Sequence, residues 1–128
     1  MSKKILVVDD EPFVLRSLTY VLTKNGYEAY TASDGDEALK VLDKIKPDIM
    51  FLDVMMPKFS GYEVLRRIRE NPDFDSIYII MLSAKSQDRD REKSLALGAN
   101  EFMTKPFSPS RILQRINEIF TNMVGEDG

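Results

Sequence analysis

Asp48-Ile49-Met50-Phe51-Leu52-Asp53 is the segment on which the fold turns. Four apolar residues stand in a row between two carboxylates, with no polar alternation. The strand they predict is therefore covered on both faces, as strands of a buried parallel sheet are. Pro47 stops the helical pattern before it, and Met56-Pro57-Lys58-Phe59 reads as a loop after it. The pattern recurs along the chain. Ile5-Leu6-Val7-Val8 ends at Asp9 and Asp10, Ile79-Ile80-Met81-Leu82 ends at Ser83, and the shorter Phe102-Met103-Thr104 ends at Lys105. Core packing does not explain apolar runs that end on carboxylates, a hydroxyl and an amine.

Amphipathic segments fill the intervals. Pro12 suits the first position of a helix over about 12–24, with Val14, Leu18, Val21 and Leu22 on one face and Gly26 past its end. The more polar strand near 28–32 reads as an edge. A helix over about 36–45 turns Ala38, Val41, Leu42 and Ile45 inward. Ser60 and Glu63 form a capping-box pattern that opens a helix through Arg69, and Asn71-Pro72-Asp73 is a turn. Strands are expected over 77–82 and 101–104. The stretch 88–97 is charged and poor in apolar positions, which predicts a weakly packed helix, ended by Gly98. Ser108-Pro109 starts the last helix, with Ile112, Ile116, Ile119, Phe120 and Met123 inward.

Five strands in strict alternation with five helices predict an α/β fold: a doubly wound, flavodoxin-like parallel sheet with right-handed crossovers. Strand order 2-1-3-4-5 makes strands one and three neighbours at the topological switch point. One domain is expected over 1–124, with 125–128 a frayed tail.

Composition narrows the chemistry. The chain has 128 residues, a length that suits one core, and its 43% hydrophobic and 30% charged residues describe a globular chain, not a disordered one. No apolar run nears the ~20 residues of a membrane span. The four apolar residues after Lys4 are too few for a signal-peptide core. A net charge of −3 gives no support for nucleic-acid binding. The absence of cysteine removes thiolate chemistry and is compatible with a reducing cytoplasm, where the chain is expected. The absence of histidine removes Ser-His-Asp catalysis, imidazole metal sites and phosphohistidine chemistry together.

In an open parallel sheet, ligands sit outside the carboxyl ends of the strands. That edge gathers Asp9, Asp10, Asp53, Ser83 and Lys105. Three converging carboxylates repel, and a cation relieves the repulsion. Mg²⁺ fits best, with hard oxygen ligands and waters retained for a phosphate. A carboxylate can attack a phosphoryl group to give an aspartyl-phosphate, and Asp53 is the best nucleophile because its strand is central. The cation, Lys105 and the Ser83 hydroxyl would then neutralise the three equatorial oxygens.

On these residues the chain resembles the response-regulator receiver domains of two-component signalling, of the single-domain chemotaxis type. The matching segments are Ile5-Leu6-Val7-Val8-Asp9-Asp10-Glu11, then Asp48 through Pro57 with Gly61, then Leu82-Ser83-Ala84, and Gly98-Ala99 through Lys105-Pro106-Phe107. The resemblance covers about residues 3–123. It implies Asp53 as phosphoacceptor and metal ligand, Asp10 as a direct Mg²⁺ ligand, Asp9 as a ligand through water and the Met55 carbonyl as a further one. It also implies that Ser83 and Lys105 bind the phosphoryl group, that Lys105-Pro106 is a cis peptide, and that Phe102 is the switch aromatic, paired in action with Ser83. Ser83 stands where many members have Thr, and Phe102 where Tyr is frequent. Met55 and Lys85 occupy positions at which the family tunes the lifetime of the phosphorylated state.

Three functions from different classes follow. The first is a phosphorylation-switched interaction module. A histidine kinase or phosphotransfer protein is its donor and an output protein its partner, without nucleic acid or membrane. Its working surface is the fourth helix, fifth strand and fifth helix, and it is a monomer or a phosphorylation-dependent dimer. The second is a Mg²⁺-dependent aspartyl phosphohydrolase. Such enzymes carry a second Asp two residues past the nucleophile, where this chain has Met55, and the chain lacks insertions to shape a substrate pocket. The third, a flavin or nucleotide module, needs a glycine-rich phosphate loop that the sequence does not contain. The first reading makes the chain a regulator and not a turnover enzyme.

Overall fold

The computed structural model describes residues 3–84, 88–105 and 108–127; for Asp88 and 123–127 only the backbone is described. Lys85, Pro106, Phe107 and the Met123 side chain lie outside the described residues, and with them the expected cis peptide.

The elements alternate as β1 (Lys4–Val8), α1 (Pro12–Lys24), β2 (Glu28–Ala32), α2 (Gly35–Lys44), β3 (Ile49–Asp53), α3 (Gly61–Arg69), β4 (Tyr78–Ser83), α4 (Asp88–Ala96), β5 (Glu101–Thr104) and α5 (Pro109–Asp127). A 3₁₀ turn at Pro72–Phe74 replaces the expected simple turn. The five strands are parallel in the order β2-β1-β3-β4-β5, so β2 is an edge and β1 and β3 are neighbours. The register sets Val8 against Leu52, Asp53 against Leu82 and Ser83 against Thr104.

The period-2 alternation of a strand divides the core into two layers. Leu6, Val8, Met50, Leu52, Ile79, Met81 and Phe102 face α2 and α3, where Ala38, Leu42, Val64, Leu65 and Ile68 meet them. Ile5, Val7, Ile49, Phe51, Ile80, Leu82 and Met103 face α1 and α5, against Leu18, Leu22, Ile112, Ile116 and Ile119. Because both faces are covered, the interiors of β1, β3 and β4 are uninterrupted apolar runs, with polar groups only at their ends, Lys4 and Tyr78 at the starts and Asp53 and Ser83 at the carboxyl edge.

Local chemistry sets the boundaries. Pro12 opens α1, and Gly26, at φ 88°, follows its end. α2 starts at Gly35, a residue earlier than expected, because the Asp34 side chain accepts from Glu37 N at 2.8 Å. The Ser60–Glu63 box forms by half. Ser60 Oγ accepts from Glu63 N at 3.3 Å, but the Glu63 carboxylate turns to Arg66 and Arg67. α5 continues through Asp127, into the segment expected as a tail.

Candidate phosphoacceptor site

Parallel register brings the carboxyl ends of β1, β3, β4 and β5 to one edge, and the five sequence-predicted residues arrive there at different depths. Asp9 is fully enclosed, Asp53 is 4% exposed, Ser83 is buried, and Asp10 is exposed at the rim. Carboxylate oxygens of Asp9, Asp10 and Asp53 all lie within 4.8 Å of one another. Lys105 reaches in from the end of β5. Its Nζ donates to Asp9 Oδ2 at 2.8 Å and stands 3.3 Å from Asp53 Oδ2 and 3.8 Å from Glu11 Oε1. Its side chain is largely enclosed, which a lysine at a strand end does not announce. Its place is fixed through the backbone, since Lys105 N donates to the Ser83 carbonyl at 2.7 Å.

The electrostatics follow from enclosure. Burial, and then the Asp9 charge, push the Asp53 carboxyl up to about 6, against the pull of Lys105 and the Met55 N–H. Lys105 loses some of its preference for charge to burial. Asp9 and Asp53 more than restore it and hold its pKa above the ordinary lysine value. One ammonium thus serves carboxylates that remain under-neutralised. Three hard oxygen donors packed this closely, one of them raised by its neighbour's charge, fit an oxygen-seeking divalent cation such as Mg²⁺.

Two further features complete the site. Gly61 N donates to the Val54 carbonyl at 2.8 Å, and a Cβ at Gly61 would stand 2.1 Å from the Asp53 carbonyl oxygen. Only glycine lets the start of α3 rest on the backbone of Asp53. The loop between them makes a γ-turn, with Phe59 N donating to the Pro57 carbonyl at 2.9 Å across Lys58 at φ 69°. Lys58 Nζ lies 3.6 Å from Asp34 and 3.7 Å from Asp36, tying this loop to the start of α2.

The remaining predicted residues surround the pocket. The Met55 side chain is exposed at the mouth, and its N–H donates to Asp53 Oδ1 at 3.3 Å. Phe102 is buried, with the Arg91 guanidinium 5.3 Å from its ring centroid.

A doubly wound parallel sheet with an acidic, lysine-capped pocket at its switch point defines a class, the aspartate-centred receivers of two-component signalling. The sequence matches the response regulator receiver domain family over residues 5–117, and the chain belongs to that family. It is 47% identical over 119 residues to the alkaline phosphatase synthesis transcriptional regulatory protein PhoP of Bacillus subtilis, covering 93% of this chain and 49% of that one. It is 46% identical over 118 residues to the probable transcriptional regulator ycf27 of Cyanophora paradoxa, covering 92% and 48%. The chain thus spans about half the length of the curated relatives it matches. Among solved structures it resembles the chemotaxis response regulator CheY4 of Vibrio cholerae, with TM-score 0.87, 30% identity and 93% and 99% of the two chains covered. It also resembles the beryllium fluoride-activated DrrB receiver domain, with TM-score 0.83, 32% identity and 94% and 99% covered. Among the described residues, no helix is long and apolar enough to cross a membrane.

Proposed function

We propose that this receiver domain takes a phosphoryl group onto Asp53 and uses it to change the surface formed by α4, β5 and α5. One observation carries the reading: the three carboxylates lie within 4.8 Å of one another, and Lys105 Nζ stands 3.3 Å from Asp53. An Asp53 carboxylate oxygen bonds to phosphorus as the bond from phosphorus to the donor breaks, and the donor leaves with the electron pair. Lys105 lies where it can shift from carboxylate to phosphoryl oxygen, and the Ser83 hydroxyl is the donor for another oxygen. Asp10 and Asp53 directly, Asp9 through water and the Met55 carbonyl would hold Mg²⁺, which when bound would neutralise charge developing on the phosphoryl oxygens. Since the Asp53 pKa lies near 6, the carboxylate form needed for attack predominates at neutral pH.

The donor in this reading is a histidine kinase or a phosphotransfer protein, and the setting is the cytoplasm. Phe102 and Ser83 link the site to the output face, where a cleft of about 490 Å³ is lined by Arg91, Phe102, Arg111 and Arg115. The domain acts as a monomer or as a phosphorylation-dependent dimer. The domain is taken to end near residue 124. Met55 two residues past Asp53 has no proton to give a leaving group, which disfavours a phosphohydrolase.

Acetyl phosphate with Mg²⁺ is expected to add one phosphoryl group, read by intact mass, and Asp53→Asn to abolish the addition. Equal labelling of the variant would remove Asp53 from the role. Turnover of a generic phosphate ester would favour the hydrolase instead.

A further inference from the structure

Helix α4 is the least anchored element of the fold. Of its described side chains only Ser94 is buried, and Leu95 is 45% exposed. Apart from Arg91 over the Phe102 ring, what ties its first turns to the body is a small polar group on α3. The Tyr62 hydroxyl donates to Asp90 Oδ1 at 3.1 Å. Ser94 Oγ donates to the Asp90 carbonyl at 2.8 Å, and Lys93 Nζ lies 4.3 Å from the Tyr62 ring centroid. The other carboxylate oxygen, Asp90 Oδ2, is buried and has no hydrogen-bond partner among the described residues. A buried carboxylate oxygen without a donor is destabilising. The seat of α4 therefore leans on the one bond this carboxylate makes across to α3. Burial, and then the bond to Asp90, raise the Tyr62 phenol above its ordinary value, so the hydroxyl keeps the proton it donates at neutral pH.

Tyr62 follows Gly61, whose N–H and Cα are seated on the backbone of Val54 and Asp53. A continuous set of contacts therefore runs from the Asp53 backbone through the first turn of α3 to the first turn of α4. It is separate from the route through Ser83 and Phe102. The α4 seat it secures accompanies a Lys105 drawn onto Asp9 and Asp53, the arrangement of the unmodified site.

We propose that the Tyr62 hydroxyl is a latch that holds α4 in its resting seat and thereby sets how readily the site accepts a phosphoryl group; the proposal rests on the phosphoacceptor reading above. A bond made only in the resting arrangement opposes the active one, and by linkage its removal strengthens any ligand of the active one by the same factor.

Tyr62→Phe tests this, since it keeps the ring and deletes one oxygen. Amide exchange over 91–97 is expected to accelerate roughly tenfold, the scale of one hydrogen bond to a charged group. Binding of beryllium fluoride with Mg²⁺, followed by amide spectra, is expected to tighten by a similar factor. Asp90→Asn keeps an acceptor for the hydroxyl and is expected to stay near the unmodified chain in both measurements, while Asp90→Ala follows Tyr62→Phe. Unchanged exchange in Tyr62→Phe overturns the latch. Faster exchange with unchanged or weaker beryllium fluoride binding overturns its coupling to the site. An unmodified chain that never responds to beryllium fluoride brings down the phosphoacceptor reading itself and the coupling with it, whereas an overturned latch leaves that reading standing.

Discussion

At the edge of the sheet where β4 and β5 begin, one arginine meets only neutral acceptors; at the edge where β1 and β3 end, one lysine faces three carboxylates. Arg69 Nε donates to the Gly98 carbonyl at 2.8 Å, Nη1 to the Phe74 carbonyl at 3.0 Å, and Nη2 to the Ile77 carbonyl at 2.8 Å and Asn100 Oδ1 at 2.9 Å. Asn100 Oδ1 also accepts from Ile79 N, and Asp48 accepts from Lys4 N, both at 2.8 Å. Arg69 and Asp48 there each close backbone valences. At the opposite edge Lys105 is shared among Asp9, Asp53 and Glu11, and Asp53 is driven up to about 6. The first edge is satisfied and therefore structural. The second holds repulsion that a bound cation would relieve, the kind of imbalance that functional sites carry.

The largest expected effect falls on the satisfied edge. Arg69→Ala strands several enclosed carbonyls and is expected to destabilise the chain by about 3 kcal/mol or more, a fall in Tm of ~10 °C or more. Labelling by acetyl phosphate in the cold, where the variant remains folded, is expected to persist. A variant that kept its Tm but lost labelling would reverse the roles of the two edges.

The reactive edge answers with the opposite sign. The unfolded Asp53 carboxyl titrates near 4 and the folded one near 6. Between those values the folded chain holds a proton that the unfolded chain has released. The stability this group contributes is thus present below about pH 4 and is lost as pH rises through 6. In metal-free buffer Asp53→Asn is expected to be more stable than the natural chain at pH 7.5, by up to about 3 kcal/mol, with the gap closing at pH 4. Millimolar Mg²⁺ should narrow it at pH 7.5 by stabilising only the chain that binds it. Thermal melts at the two pH values decide. A variant less stable at pH 7.5 would mean that the edge is not frustrated.

The smallest effect sharpens the contrast within one helix. Arg66, one turn before Arg69, pairs with Glu63 and Glu70 on the exposed face of α3. Arg66→Gln is expected to shift Tm by no more than about 3 °C, because solvated pairs add little. A fall comparable to that of Arg69→Ala would show that counting charged contacts, and not their enclosure, ranks these arginines.

How much of this was legible in the sequence follows the same division. The strands and helices could be read because uninterrupted apolar runs, flanking Pro12 and Gly26, and the cap at Ser60 each leave a local or periodic mark. The pocket residues could be read because each one breaks a run. Arg69 looked like the last residue of a helix, and Gly61 like part of a motif without a task. Their partners lie on other elements and are mostly backbone atoms, which carry no residue identity. The role of Lys105 could be read but its depth could not, for a related reason: its enclosure comes with its bond to Asp9, far away in sequence. The Tyr62–Asp90 bond was invisible too, since the weak pattern of 88–97 said only that α4 would be poorly packed.

Gly98 adopts φ 109°, and a Cβ there would stand 2.7 Å from Arg69 Cγ. Its backbone carbonyl is also the acceptor for Arg69 Nε. The two positions therefore form one unit of inheritance. A side chain at 98 evicts the arginine from its bonds, and a shorter residue at 69 removes one of the two reasons for glycine at 98. Along a lineage of such chains, these residues, 29 apart in the sequence, are expected to be kept or lost together.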